Sequence, residues 1–198
     1  MTSALTPSGV HEAGHVVVAY ALGRRVTLVR LGSHPVPDDH PHAEVLAGSI
    51  AGGDTRFGPD LASEISKRFN DGQPLALEHL EWLRAELVIC HAGIAAEERL
   101  LGSATPEGWT ADAQQGAVVV RMLGITDDPD GGAARVERAA NIATSLVDAL
   151  VGSGLDRIAA TFSQGAVELD EAAITSLLEE SGLRRGNHRE LLEELADR

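Results

Sequence analysis

The chain has 198 residues, a formal net charge of −14, 43% hydrophobic residues and only 3% aromatics. That charge argues against nucleic acid or an anionic membrane as a partner, while the length suits one domain with a real core. With so few aromatics the core must be built from Leu, Val, Ile and Ala, which favours helix packing over a β-sandwich, and Cys90, the lone cysteine, allows no disulfide framework.

No apolar run approaches the ~18 residues that would suggest a membrane-spanning helix. Met1 to Val10 lacks the basic and apolar regions of a signal peptide, so a cytoplasmic location is expected. Lys67 is the sole lysine and is followed by Arg68, which excludes a G-x-x-x-x-G-K-[ST] phosphate loop.

The first predicted element is a helix from about Pro7 to Leu22, with Thr6 as N-cap, Pro7 at the first helical position and Gly23 as the stop. It carries His11-Glu12-Ala13-Gly14-His15, then the apolar run Val16 to Leu22. Two histidines at i and i+4 share one helical face, so both imidazoles can hold a single Zn²⁺. Glu12 stands beside them, placed to take a proton from a water that the metal acidifies. The small Ala13-Gly14 pair lets another segment approach closely. Coincidence is the competing reading of five residues; the apolar continuation weighs against it.

Arg24 to Leu31 alternates and predicts a short strand. Gly32 to His42 carries three prolines with His34, His40 and His42; its turn composition and lack of fixed ligand spacing read as a solvated loop rather than a second metal site. Ala43 to Ile50 predicts a second strand pairing with the first, ended by Gly52-Gly53-Asp54. Thr55 to Gln73 holds a modest helical pattern around Leu61, Ile65 and Phe69. The longest periodic segment runs from Pro74 to about Leu101, with Leu77, Leu80, Leu83, Leu87, Cys90 and Ile94 at helical spacing. Its middle is thin at Ala92-Gly93 and Ala95-Ala96, admitting a neighbouring helix. His91 reads as a packed residue, since no partner sits at ligand spacing. In Glu97-Glu98, one acid is positioned to hydrogen-bond a ligand histidine and fix its tautomer, with Arg99 and solvent as the bland partners.

Gly102 to Gly108 reads as a loop, and Trp109 to Leu123 as a helix with Thr110 as N-cap. Asp112 then falls in the first turn, where the helix dipole alone would justify a carboxylate. The residues leave that role and a third metal ligand equally open. Helical patterns follow at about Ala133–Val151, Leu155–Gln164 and Asp170–Glu180, with a charged tail from Gly182 that could form a terminal helix.

In this order the features resemble the protease domain of FtsH-type ATP-dependent zinc metalloproteases. In that family H-E-A-G-H opens the active-site helix, and all five letters stand at His11 to His15. Arg25-Val26-Thr27-Leu28-Val29 resembles the strand that follows it. Ala92-Gly93-Ile94-Ala95-Ala96-Glu97-Glu98 with Gly102 resembles the family's G-G-R-x-A-E-E helix, and Thr110-Ala111-Asp112 its S-N-D, whose aspartate is the third zinc ligand. Ala134 to Leu178 resembles the closing helical hairpin. The resemblance implies a mostly α domain with a small β element (α+β), one domain over 1–198. Its metal site falls within 7–125, a C-terminal helical hairpin over about 130–180 and a tail at 181–198.

The resemblance further implies zinc held by His11, His15 and Asp112, Glu12 as catalytic base, Glu97 as the carboxylate supporting a ligand histidine, and hydrolysis of peptides or unfolded proteins. The family's ATPase module and membrane anchor are not present in this sequence, so a homo-oligomer or a separate ATPase are the expected partners. The family's glycine-threonine strand is not recognisable between Ala43 and Gly53, and His91 and Ile94 also depart from the pattern. The alternative is a non-catalytic adaptor in which zinc is structural. Fe, Co or Mn also suit two histidines and a carboxylate.

Overall fold

A computed structural model describes residues 4–31, 34–35, 49–50, 53–58, 61–124, 129–152, 154–164 and 167–196. It is mostly helical with a small antiparallel sheet, as expected. The elements are α1 (Pro7–Ala21), β1 (Arg25–Leu31), β2 (His34–Pro35), β3 (Ser49–Ile50), β4 (Gly53–Gly58), α2 (Ala62–Asn70), α3 (Leu77–Leu101), α4 (Pro106–Met122), α5 (Pro129–Leu150), α6 (Leu155–Phe162), β5 (Val167–Asp170), α7 (Glu171–Glu180) and a closing 3₁₀ helix (Arg189–Leu195).

Helix α1 is the hub. Every residue from Gly9 to Ala21 is buried, which explains how a Val16-Val17-Val18 run stays helical: burial on all sides outweighs the mild helix penalty of β-branched residues. Thr6 caps it as expected, its hydroxyl accepting from the Gly9 amide at 3.2 Å. The Thr6 amide itself donates to Ser163 Oγ at 2.9 Å, fastening the start of α1 to the end of α6. Around α1 pack α3, α5, α6, β1 and β4. The α1–α3 approach is very close. A Cβ on Gly14 would lie 2.4 Å from the Ala92 carbonyl oxygen and 2.7 Å from Ala96 Cβ, so only glycine fits.

The sheet runs β4-β1-β5, with both neighbours antiparallel to β1. Two expectations are corrected here. The partner of β1 is β4, which begins at Gly53, where the glycines were read as the end of a strand. Within the expected strand Ala43 to Ile50, the described pair Ser49–Ile50 bonds to β2 and not to β1. Strand β5, pairing Val167 with Leu31 and Asp170 with Leu28, was not anticipated. Its Val-Glu-Leu-Asp run leads into α7, whose N-cap Asp170 accepts from the Ala173 amide at 2.9 Å.

The start of α4 is a third correction. The helix begins at Pro106, inside the expected loop Gly102–Gly108, and Thr110 lies within it, its hydroxyl donating to the Pro106 carbonyl at 3.2 Å. Asp112 therefore sits in the second turn, not the first. Its position owes nothing to the helix dipole's first-turn preference. The tail forms a 3₁₀ segment that buries Leu192 and Leu195. No helix among the described residues is long and apolar enough to cross a membrane. His40 and His42 lie outside the described residues.

Candidate metal centre

His11 and His15, one turn apart on α1, are each 8% exposed, as is Glu12 between them. Helix α3 supplies the partner of each ring's inner nitrogen. His15 Nδ1 is 2.8 Å from the Ile89 carbonyl oxygen, and His11 Nδ1 is 2.6 Å from Glu97 Oε1. A carbonyl can only accept and a carboxylate accepts, so each Nδ1 carries the proton and donates it. In the neutral rings both Nε2 atoms are then lone pairs. They face each other at 3.0 Å. Asp112 Oδ2 completes the group, 3.2 Å from His11 Nε2 and 3.3 Å from His15 Nε2. It is buried and has no hydrogen-bond partner among the described residues.

Three electron-pair donors converge on one point, with no proton donor beside them among the described residues, and such a group could hold a cation. The spacing fits one. Bonds of about 2.0–2.1 Å to a tetrahedral zinc put neighbouring ligands about 3.3 Å apart. His11, His15 and Asp112 are the group of described residues whose ligand atoms could hold a metal ion. Without the cation, protonation is the remaining way to neutralise the cluster. Burial lowers the pKa of His15, but Asp112, Glu12 and the Ile89 carbonyl together more than offset it and raise it to about 9. Burial likewise raises that of Asp112, and the two histidines overcome it, holding the carboxyl well below the usual range.

Glu97 does more than orient one ring. It is 1% exposed, and its second oxygen, Oε2, accepts the Thr105 backbone N–H at 2.5 Å. Thr105 is the residue that precedes Pro106 and leads into α4. One buried carboxylate thus joins His11 on α1 to the start of the helix that carries Asp112. Pro106 at the first helical position keeps Thr105 extended, and Glu97, eight residues earlier, accepts the amide left free there.

Gly93 was expected to let a neighbour come close, and the neighbour is the His11 ring. A Cβ there would fall 2.5, 2.6 and 2.7 Å from Cε1, Nε2 and Nδ1 of His11. Alanine in a helix interior ordinarily gains about 0.5–1 kcal/mol over glycine. Here the clash is with a fixed ring, and overpacking of this kind costs about 1–3 kcal/mol. Gly93→Ala is therefore expected to lower stability and weaken zinc binding together, read by urea denaturation and a competition titration. Unchanged values for both would show that the ring has room.

His91 stays outside the cluster, as expected. It is half-buried, with Nε2 lacking a hydrogen-bond partner among the described residues, and burial lowers its pKa while Asp112 pulls the other way. Thr55, unremarked in the sequence, reaches Glu12: its hydroxyl donates to Glu12 Oε2. No family model matches the chain, and no curated protein matches it.

Proposed function

We propose that the chain is a zinc metallopeptidase resembling the FtsH peptidase domain, hydrolysing peptide bonds in peptides or unfolded proteins. The observation that carries this reading is the convergence of His11 Nε2, His15 Nε2 and Asp112 Oδ2 beside a buried Glu12. Zinc held by those three residues would supply Lewis acidity, acidifying water and polarising a carbonyl. Glu12 accepts the proton of the attacking water as the C–O bond forms, and returns it to the departing amine as the C–N bond then breaks.

Two further features support the reading. Strand β4 has β1 on one side and no other strand beside it among the described residues. Its free edge, at the level of Thr55 and Glu12, is where an extended peptide would add by main-chain pairing. Among the described residues three protein donors converge, which leaves a coordination position for water or substrate, whereas a structural zinc is usually closed by four. That weighs against the adaptor.

The test is cleavage of unfolded casein by the zinc-loaded protein. Fragments are expected, lost on treatment with a chelator and restored by added zinc. A protein that holds one zinc per chain and cuts nothing, alone or with an added unfoldase, would overturn the peptidase and leave the adaptor.

A further inference from the structure

We propose that Thr55 is a positioning residue for Glu12, holding one oxygen of the carboxylate so that the other is presented to the metal site. This rests on the reading of Glu12 as the base. Three observations carry it. Thr55 Oγ donates to Glu12 Oε2. Among the described residues no other hydrogen bond or ion pair reaches the Glu12 carboxylate, so this hydroxyl is what sets its rotation. Thr55 is itself fixed from the far side, being paired with Val29 in the register of β4 on β1, while Val29 is fully buried.

A glutamate has three rotatable bonds, and a base must present its lone pair within hydrogen-bond reach of the proton it takes. Glu12 is the flexible member of the motif, because both neighbouring histidines are pinned through Nδ1. Thr55 removes that freedom. The hydroxyl can remain the donor in both states of the reaction: Oε2 accepts from it when Glu12 is ionised, and still accepts when Oε1 carries the proton. The bond therefore need not break during turnover. Because β4 has no strand on its far side among the described residues, a peptide laid along it would stiffen the strand that holds Thr55. Substrate docking and the setting of the base would then share one element.

The experiment compares Thr55→Val, which keeps shape and β-branching but removes the donor, with Thr55→Ser, which keeps the hydroxyl. On the zinc-loaded protein with a peptide substrate, Thr55→Val is expected to lower kcat about 10- to 100-fold, the range of a hydrogen bond to a charged group, with KM nearly unchanged. Thr55→Ser should recover most of the rate. A fall confined to KM, or equal losses in both variants, would overturn the assignment. A readout independent of turnover is a double-mutant cycle in urea on the metal-free protein. Thr55→Val should destabilise the wild-type chain and have almost no effect in a Glu12→Ala background. Additive effects would overturn the contact itself. If the wild-type protein cuts nothing yet the cycle is non-additive, the peptidase reading fails while Thr55 still holds Glu12.

Discussion

Zinc-loaded Glu12→Gln is expected to keep its metal and lose about 10²- to 10⁴-fold in kcat, the contribution typical of a positioned general base. The substitution is nearly isosteric, and the amide oxygen can still accept from the Thr55 hydroxyl, so the packing of α1 against β4 has no reason to change. None of the three donors that converge on the metal site belongs to Glu12. What the amide lacks is a basic oxygen. Water then has to lose its proton to bulk solvent, and the departing amine has no adjacent donor. Two measurements decide the matter, zinc per chain and kcat on an unfolded substrate. Activity within a few-fold of the wild type would remove Glu12 from the mechanism. Loss of zinc together with activity would instead make it a structural support of the cluster.

How far such a site can be read from the residues depends on whether its determinants are local. The α1 histidines were legible because i, i+4 spacing, the Thr6–Pro7 start and the Gly23 stop all lie within one helix, and α1 formed from Pro7 to Ala21 with Thr6 as its cap. Asp112 was not fixed by its surroundings. Thr110 and Pro106 both carry helix-start chemistry; the helix starts at Thr105–Pro106, the same pair that opens α1, and Glu97 on another helix accepts the Thr105 amide. That bond has no signature in a window of neighbouring residues. Strand β4 was hidden for a similar reason. Gly52-Gly53-Asp54 reads as a break, yet the register of β4 on β1 and the reach of Thr55 to Glu12, 43 positions away in sequence, draw Gly53-Asp54 into the sheet. The carbonyl of Ile89, which fixes the His15 tautomer, is a backbone atom that any residue would supply.

Glu97→Gln is expected to weaken zinc binding about 10- to 100-fold, as loss of a carboxylate behind a metal-binding histidine typically does, while leaving the fold intact. The reason is a count of donors. Glu97 receives two, His11 Nδ1–H at one oxygen and the Thr105 N–H at the other. A carboxylate accepts both; an amide has one accepting oxygen and one donating nitrogen. If the Gln oxygen keeps Thr105, its NH₂ faces His11 Nδ1, the ring proton moves to Nε2, and that proton points into the metal site. If the oxygen keeps His11, two N–H groups meet at Thr105, a buried donor is left unmatched at a cost of about 1–3 kcal/mol, and the start of α4, with Asp112 further along it, loosens. Either way one ligand is compromised. The two outcomes separate experimentally: the first leaves amide exchange at Thr105 slow and shifts the His11 ring ¹⁵N signals, and the second speeds exchange at the start of α4. Zinc affinity equal to that of the wild type, measured by chelator competition, would mean that Glu97 neither fixes the His11 tautomer nor holds α4 in place.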